Sequence, residues 1–326
     1  MEYHLPVMLD ECIEGLNIRP DGTYVDATFG GGGHSRAILE RLGPEGRLVA
    51  FDQDADALAN AIADERFTLL HENFRYMKSF LRLQGVRSVD GVLADLGVSS
   101  HQLDDGERGF STRLEGELDL RMDRRQELTA RVLVNTATEG ELTHLLRLYG
   151  ELPNALQMAR AIVRYRAEKE IVTTFDLREA VSGHLPRGKE NKYLAMLFQA
   201  LRIEVNGELE ALKAMLRQAT EVLVPGGRLV VMSYHSLEDR LVKNYMKTGN
   251  FEGEVEKDFY GNLIAPLEPV SRKVLTASEE ELMSNPRSRS AKLRVAEKKR
   301  WRDRFWTAQV ILKEKGNRLL NGRKRT

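Results

Sequence analysis

The sequence predicts an α/β protein with a doubly wound, mostly parallel sheet and an inserted all-helical domain. In the first hundred residues, short β-prone runs alternate with helical runs. Strands separated by helices of about 10–15 residues form right-handed crossovers, which place parallel strands side by side with helices on both faces. From about residue 104 to residue 206, the apolar residues recur instead at spacings of three and four, as in packed helices. The strand pattern then returns, so the helical stretch interrupts one sheet domain.

Four runs before residue 100 have the short, β-branched and apolar character of buried strands. They are residues 23–28 (TYVDAT), 47–52 (RLVAFD), 67–73 and 89–96 (VDGVLADL). Helices are predicted between the first three runs, at residues 34–42, where a Gly-Pro pair ends the pattern, and at residues 55–63. This order is that of consecutive β-α-β units.

After the insertion, the chain resumes with a predicted helix at residues 208–223 and a fifth strand at residues 228–233 (RLVVMS). Residues 270–276 and 292–296 are candidates for an antiparallel hairpin that closes the sheet. We therefore predict a discontinuous sheet domain of residues 1–103 and 207–300, a helical insertion of residues 104–206, and a basic C-terminal extension of residues 301–326.

The charge of the chain is unevenly distributed. The 326 residues include 49 Lys and Arg and 49 Asp and Glu, but residues 285–326 hold 15 basic residues and only 3 acidic ones. An acidic body with a basic C-terminal end is typical of a protein that meets a polyanion. A solvated tail without a partner explains the same asymmetry equally well. Charge alone therefore leaves a nucleic-acid partner open.

Composition excludes several classes of protein. With 42% hydrophobic and 30% charged residues, the chain is too apolar to be intrinsically disordered. The single cysteine, Cys12, excludes an internal disulfide framework and a zinc site built from cysteines. The first residues lack a signal-peptide pattern, and no apolar run approaches the length of about 18 residues that spans a bilayer. We therefore expect a soluble, cytoplasmic protein.

A run of four glycines, residues 30–33, follows the first predicted strand and opens a helix, where bare backbone N–H groups can lie close to a ligand. Glycine patterns of this kind are common to several nucleotide sites. Asp26 ends the first strand and Asp52 ends the second. A carboxylate is repelled by a pyrophosphate but attracted by a sulfonium and an ammonium group, and one at the second strand end can accept hydrogen bonds from ribose hydroxyls. The pair therefore favours S-adenosylmethionine over NAD.

Each of these side chains also has a purely structural interpretation. Asp26 can brace the glycine turn, and Asp52 can be a solvated loop residue. Phe74, just past the third strand, is placed to stack on an adenine, but a lone aromatic residue more often packs in a core. The sequence leaves these alternatives open.

Two further polar segments follow strands at the carboxyl edge of the predicted sheet, where such folds bind ligands. Residues 95–100 (DLGVSS) provide the carboxylate of Asp95 and the hydroxyl of Ser99. Residues 234–240 (YHSLEDR) follow the fifth strand, and we expect His235 to point into the cleft. No set of His, Asp and Glu residues has the spacing of a metal site, so no metal is expected.

Several blocks of the sequence together resemble one family. In chain order these blocks are YHLPVML (3–9), DATFGGGGHS (26–35), DLGVSS (95–100), QLD (102–104), RGFS (108–111), FQALRI (198–203), HSLEDR (235–240) and NPRSRSA (285–291). They resemble the MraW/RsmH family of bacterial S-adenosylmethionine-dependent methyltransferases, which methylate the N4 amine of a cytosine in 16S ribosomal RNA. The resemblance runs from residue 3 to about residue 297, roughly nine-tenths of the chain.

The resemblance implies a Rossmann-like class I methyltransferase sheet, S-adenosylmethionine as the methyl donor, and 16S ribosomal RNA within the small ribosomal subunit as the partner. It also implies that the helical insertion helps to recognise the substrate. The cofactor contacts that it implies are Gly32, Gly33, His34, Asp52, Phe74, Asp95 and Gln102.

An exocyclic amine of cytosine is a poor nucleophile, because its lone pair is delocalised into the ring. Hydrogen-bond acceptors for its N–H groups and alignment with the methyl group help it to react. Asp95, Ser99 and the backbone carbonyls of residues 96–98 are candidate acceptors, and His235 is a further catalytic candidate. Methylation at C5 instead needs a cysteine nucleophile. Cys12 lies in an amphipathic stretch typical of a packing residue, so methylation of the amine is favoured.

A basic segment near the predicted hairpin is suited to RNA phosphates. Its members are Arg287, Arg289, Lys292 and Arg294. Two other functions remain open: a methyltransferase of the same fold that acts on another amine, in DNA, protein or a small molecule, and a module that binds RNA or nucleotides without catalysis. Residues 95–98 (DLGV) are not the Asp/Asn/Ser-Pro-Pro-aromatic tetrad usual in DNA amine methyltransferases, which argues against DNA.

Overall fold

Seven strands form one sheet in the computed structural model, which describes residues 6–271 and 273–300. The strands are β1 (Thr23–Asp26), β2 (Arg47–Phe51), β3 (Phe67–Leu70), β4 (Val89–Asp95), β5 (Leu223–Ser233), β6 (Leu267–Pro269) and β7 (Lys292–Lys298). Their order across the sheet is β3-β2-β1-β4-β5-β7-β6. The first five strands are parallel, and β7 runs antiparallel to β5 and β6. This confirms the predicted doubly wound sheet with closing antiparallel strands; the basic extension 301–326 lies outside the described residues.

The described residues form twelve α-helices. These are α1 (Leu9–Leu16), α2 (Gly33–Arg41), α3 (Met77–Leu83), α4 (Ser100–Asp104), α5 (Ala130–Thr136), α6 (Glu139–Leu148), α7 (Ala155–Glu168), α8 (Thr174–Val181), α9 (Glu190–Asn206), α10 (Glu208–Val222), α11 (Ser236–Thr248) and α12 (Glu279–Ser284). Among residues 6–271 and 273–300, no helix combines the length and apolar character of a membrane-crossing segment.

Successive side chains of the central strands point to opposite faces of the sheet, as the pleat requires. Val92 and Val231 pack in a core that also contains residues of α3, α10 and α11. Leu93 and Val230 pack in a second core with residues of α1 and α2. Cys12 on α1 is fully buried in this second core, which confirms its prediction as a packing residue. Helices therefore cover both faces of the sheet.

The helices α5 to α9 have a hydrophobic core of their own. It also takes in Leu118, Leu120 and Met122 from the preceding loop, and among its buried members in the described chain none is a strand residue. Helix α9 ends at Asn206, and Gly207, with φ of 57°, turns the chain into α10, which packs on the sheet. We infer from the separate cores that residues 104–206 form an inserted unit.

The structure corrects the predicted closing hairpin. Its first strand is β6, which precedes the predicted segment 270–276. Pairing with β7 extends as far as the N–H of Val270, which donates to Val295, and is then reduced to an isolated bridge between Leu275 and Leu293. Val270 is half exposed, so this apolar segment buries too little surface to continue as a strand.

Two predicted helical stretches are also corrected. Residues 55–63 form a 3₁₀ helix over Ala55–Asn60 instead of an α-helix, and Leu58 on it is exposed, so little packing supports a longer helix. The start of the insertion is irregular rather than helical between residues 109 and 129. Gly109 there adopts φ of 73°, and a Cβ at this position would lie 2.3 Å from the carbonyl oxygen of Glu117. Close approach of two backbone segments replaces helical packing in this loop.

A buried arginine connects the insertion with the sheet. Arg108 is 1% exposed and ends the 3₁₀ turn Gly106–Arg108. Its Nη1 lies 2.7 Å from Oδ2 of Asp56 and 3.0 Å from Oδ2 of Asp54, and its Nη2 donates to the carbonyl of Arg121 at 2.9 Å. Both aspartates follow β2. The guanidinium therefore joins the irregular loop of the insertion to the carboxyl edge of the sheet.

Replacement of this arginine tests that connection. Arg108→Met is expected to lower the free energy of unfolding by about 3 kcal/mol, because it leaves Asp54 buried without its cation. Arg125→Met removes a half-exposed arginine that pairs with Asp123 and should cost less than about 1 kcal/mol. Urea denaturation of both variants measures the difference, and equal losses would contradict the buried ion pair as the main link.

Candidate active site

Four polar side chains meet at one edge of the sheet. Asp26 ends β1, Asp52 follows β2, Asp95 ends β4, and Tyr234 follows β5. Because these strands are parallel neighbours, their carboxyl ends lie together, which is where open α/β sheets bind ligands. The predicted acidic edge is therefore assembled, with a tyrosine that the sequence analysis did not select.

The glycine loop leaves bare backbone at this edge. Gly30 adopts φ of 51° and Gly32 φ of 75°, a region that favours glycine. A Cβ built on Gly30 or on Gly31 would meet no atom within 4 Å. A ligand can therefore approach Gly30 and Gly31 from the side where a Cβ would project, while their carbonyls accept hydrogen bonds from Asn60 and Arg36.

The second half of the loop is packed against protein. A Cβ on Gly33 would lie 2.2 Å from the ring of Pro6, and one on Gly32 would lie 2.8 Å from the ring of Phe29. His34 is 6% exposed, and burial lowers its pKa. These glycines are thus required by contacts within the protein, and their implied cofactor contacts, with that of His34, stay predictions.

Asp26 has a different role from the one expected of it. It is 1% exposed, and its carboxylate accepts hydrogen bonds from Oγ of Ser35 at 2.7 Å and from the N–H of Thr28 at 3.1 Å. Burial raises its pKa against the effect of these donors. We expected this carboxylate to face a cationic ligand, but it braces the glycine loop from inside, which was the alternative interpretation.

Asp52 lies beside the open part of the loop. Its Oδ2 accepts from the N–H of Gly30 at 2.7 Å, and its Oδ1 accepts from the N–H of Asp54 at 2.8 Å. Burial, together with the charges of Asp54 and Asp26, raises its pKa to about 6. Each carboxylate oxygen has a second lone pair, so Asp52 can still accept hydrogen bonds from a ligand hydroxyl.

Asp95 is held by contacts on both its backbone and its side chain. Its N–H donates to Oγ1 of Thr28 at 2.7 Å, and its Oδ1 accepts from the hydroxyl of Tyr234 at 2.7 Å. Burial raises its pKa to about 6, although the nearby His34 and the Tyr234 hydroxyl favour its charged form. The sequence did indicate Tyr234 by its position, because its hydroxyl comes immediately after the fifth strand, at the same edge of the sheet as Asp95.

Ser99 and Gln102 build the turn after β4 instead of facing open space. Oγ of Ser99 accepts from the N–H of Gln102 at 3.2 Å, and Oε1 of Gln102 accepts from the N–H of Ser99 at 3.0 Å, which forms a capping box at α4. Nε2 of Gln102 donates to Oδ2 of Asp54 at 2.6 Å. These bonds use one lone pair of the Ser99 hydroxyl and one N–H of the Gln102 side chain. The catalytic role of Ser99 and the cofactor contact of Gln102 stay predictions.

Asp54 is a buried residue that the sequence analysis missed. It is 6% exposed and accepts hydrogen bonds from both Gln102 and Arg108. Its position two residues after Asp52 was the one sequence indication of this role. It joins the turn after β4 to the insertion.

His235 lies at the N-terminus of α11, and its predicted catalytic role stays a prediction. Its Nδ1 accepts from the N–H of Glu238 at 3.4 Å at the start of α11, and its Nε2 lies 3.2 Å from Oε1 of the same residue. Glu208 lies near this pair. Nε of Arg202 is 2.8 Å from Oε1 of Glu208, and the positive charge of Arg202 also acts on Glu238. We interpret the group as an ion-pair network at a helix start, and His235 does not enter the proposed chemistry.

Phe74 begins a short 3₁₀ turn, Phe74–Tyr76, after β3. It is partly buried and packs against the core that contains α3 and α10. This geometry agrees with the core-packing interpretation, and its contact with an adenine stays a prediction.

Three members of the predicted basic segment have acidic partners. Arg294 and Lys292 pair with Asp239 at 2.7 and 3.4 Å, and Arg287 pairs with Asp104 at 2.7 Å. Arg289 is exposed, and no acidic partner is found for it among the described residues. The expected free basic surface is therefore reduced, because Asp239 at the start of α11 pairs with two of its cations and Asp104 pairs with a third.

The raised pKa of Asp95 predicts a gain in stability when its charge is removed. The folded protein favours the neutral carboxyl, so ionisation destabilises the fold as the pH rises from about 4, the unfolded value, to about 6. Asp95→Asn is expected to raise the free energy of unfolding at pH 7.5 by about 2 kcal/mol, with no gain near pH 4. Guanidinium denaturation at both pH values measures this difference. Asp21→Asn, at an exposed site, is the control, and a pH-independent effect of Asp95→Asn would contradict the prediction.

About nine-tenths of the chain matches known proteins closely. The family model described as the MraW methylase family matches residues 1–299. Over 297 residues the chain is 58% identical to a protein of Phocaeicola vulgatus named ribosomal RNA small subunit methyltransferase H, covering 91% of this chain and 98% of that protein. A protein of the same name from Flavobacterium johnsoniae is 56% identical over 91% of this chain and 98% of its own length.

Among solved structures, one titled as a putative rRNA methylase from Clostridium thermocellum covers 90% of this chain and 99% of its own, with 14% identity and a TM-score of 0.41. That likeness is too weak to bear on function. The family match and the identities above 55% are decisive: this chain belongs to the MraW methylase family.

Proposed function

We propose that this chain transfers a methyl group from S-adenosylmethionine to the N4 amine of a cytosine in 16S ribosomal RNA, within the small ribosomal subunit. The observation that carries the proposal is its 58% identity, over nine-tenths of the chain, to a relative named as a ribosomal RNA small subunit methyltransferase. Members of one family at this identity keep their chemistry when the site residues are present. The acidic edge of the sheet supports a cationic ligand over a dinucleotide.

The residues at this edge fit the cofactor. Gly30 and Gly31 leave space over the loop, and Asp52 beside them has acceptor capacity for ribose hydroxyls. When bound, S-adenosylmethionine supplies an electrophilic methyl group on a sulfonium. Further contacts at Gly32, Gly33, His34, Phe74 and Gln102 follow from the family resemblance and stay proposals.

Asp95 is the group that we assign to the target amine. One of its oxygens, Oδ1, is occupied by the Tyr234 hydroxyl, which leaves Oδ2 as an acceptor for an N–H of the amine. A carboxylate with a pKa of about 6 is ionised at neutral pH and accepts such a bond strongly. The bond localises the nitrogen lone pair, and the carboxylate can take the proton that the methylated nitrogen loses.

The state of Cys12 supports an amine as the target. Methylation of cytosine at C5 needs a cysteine thiolate that adds to the ring. Cys12, the single cysteine of the sequence, has no exposed surface in the core between α1 and the sheet. Burial raises the pKa of its thiol well above its usual value, which suppresses the thiolate. No route to C5 chemistry therefore exists for this cysteine.

The basic segment near β7 is the part of the chain that we propose to contact RNA. Arg289 is exposed and suited to a phosphate. Arg287, Lys292 and Arg294 would each have to exchange an acidic partner for a phosphate, so we propose them as weaker contacts. Recognition of the single cytosine would come from the shape of the RNA and from a base extruded into the site.

Cofactor choice can be tested by calorimetry. The protein is expected to bind S-adenosylmethionine and to show no heat of binding with NAD. Asp52→Asn should weaken binding of S-adenosylmethionine about tenfold or more, which corresponds to the loss of one charged hydrogen bond. Asp21→Asn, at an exposed site before β1, should bind as the parent does. Binding of NAD alone would refute the assignment of the edge.

The target nucleoside can be tested with labelled S-adenosylmethionine. The protein is incubated with small ribosomal subunits that lack the modification, and the RNA is digested to nucleosides. The label is expected on N4-methylcytidine, and Asp95→Ala, which removes the acceptor, should lower the rate by about 100-fold or more. Label on any other nucleoside would overturn the substrate assignment, and label on DNA or protein added in its place would favour another amine.

A further inference from the structure

We propose that Tyr234 is a positioning residue for methyl transfer, whose hydroxyl holds the side chain of Asp95 so that one carboxylate oxygen faces the substrate amine. This inference rests on the proposed function, because it takes Asp95 as the acceptor for that amine.

The hydroxyl of Tyr234 is fixed in a position from which it can hold the side chain of Asp95. Tyr234 is the first residue after β5, and its N–H donates to Oε2 of Glu238 at 3.0 Å. Its ring packs at the edge of the core formed by α1, α2 and the sheet. The ring also lies beside Gly97, where a built Cβ would be 3.4 Å from it. The backbone and the ring are therefore both held before the hydroxyl reaches Asp95.

The contact determines which oxygen of Asp95 is available. Oδ1 accepts from the tyrosine hydroxyl at 2.7 Å, and the N–H of Asp95 is anchored on Thr28 Oγ1 at 2.7 Å. With its backbone anchored and one oxygen bound, the carboxylate has a set orientation. Oδ2 is then the oxygen left for a substrate N–H.

The charges around Asp95 explain why a donor is needed there. Asp26 on β1 and Glu238 on α11 face it with like charge, and burial adds to their effect. The charge of His34 on α2 acts in the opposite direction and lowers the pKa of Asp95, while Cys12 on α1 is a neutral thiol. In this setting a hydrogen bond to the charged form keeps the carboxylate ionised near neutral pH. Tyr234 suits that task because burial and Asp95 itself raise the pKa of its phenol far above the usual value, so it stays a donor.

This arrangement predicts the direction in which the pKa of Asp95 changes when the tyrosine hydroxyl is removed. Tyr234→Phe keeps the ring but removes the donor, so the pKa of Asp95 should rise by about one unit, the size expected of a hydrogen bond to a charged group. Activity depends on ionised Asp95, so the acidic limb of the pH profile should move to higher pH by the same amount. The loss should be about fivefold near pH 6 and much smaller at pH 8.5.

The experiment measures kcat/KM between pH 5.5 and pH 9 for the full chain, with small ribosomal subunits and labelled S-adenosylmethionine. Tyr245→Phe is the matched control, because Tyr245 is a buried tyrosine of the same domain that stacks on Phe251 and packs in the core on the other face of the sheet. Its profile should superimpose on that of the parent. Thermal unfolding of both variants checks that they are folded.

A second measurement is independent of turnover. In protein labelled with ¹³C at aspartate carboxyls, the resonance of Asp95 is identified by its absence in Asp95→Asn and titrated with pH. Its apparent pKa should be about 6 in the parent and about one unit higher in Tyr234→Phe.

Three outcomes overturn the inference. A Tyr234→Phe profile that superimposes on the parent, or an equal loss at every pH, would reduce the tyrosine to a packing residue. An unchanged titration of Asp95 would do the same. Failure of the proposed function is separate: the parent would then label a nucleoside other than N4-methylcytidine, while the titration would still report whether Tyr234 holds Asp95.

Discussion

At the carboxyl ends of three neighbouring parallel strands, β1, β2 and β4, an aspartate is the last residue or the next one, and the rest of the site depends on keeping these carboxylates together at one edge of the sheet. Close carboxylates repel one another, and burial favours their neutral forms. The protein supplies a donor to each. Ser35 donates to Asp26, a loop N–H donates to Asp52, and Tyr234 donates to Asp95. The pKa values of Asp52 and Asp95 still remain near 6, so the edge stores unfavourable electrostatic energy that a cationic ligand relieves.

The three carboxylates are not equivalent, and the difference organises the chemistry. Asp26 is buried and accepts hydrogen bonds from within the protein, and these bonds fix the start of α2 and the shape of the glycine loop. Asp52 keeps lone pairs beside bare backbone, which suits it to the sugar of a nucleoside ligand. Oδ2 of Asp95 has no hydrogen-bond partner among the described residues and lies next to the turn after β4, so it is the oxygen that we propose for the substrate. Under the proposed function, one charge pattern therefore yields a structural, a binding and a reacting carboxylate.

The insertion is coupled to this edge through buried polar contacts as well as by the chain itself. Asp54 accepts hydrogen bonds from the amide of Gln102 and the guanidinium of Arg108. The end of β2, the turn after β4 and the insertion therefore meet at one carboxylate. A buried ion pair of this kind demands one geometry, because misplacement leaves a charge unpaired. The helical unit is thereby held next to the acidic edge of the sheet.

The sequence by itself determined the positions of the five parallel strands, the glycine loop, the buried state of Cys12 and the family, because apolar periodicity and contiguous motifs are local properties of the chain. It did not determine which polar groups were already satisfied. Asp26 meets a serine 9 residues away, but Asp95 meets Tyr234 across 139 residues and Arg294 meets Asp239 across 55. The free basic segment was therefore overestimated and the tyrosine overlooked. Only the packing of the sheet and helices decided these partners, since a hydrogen bond depends on distance and direction in space and not on separation along the chain.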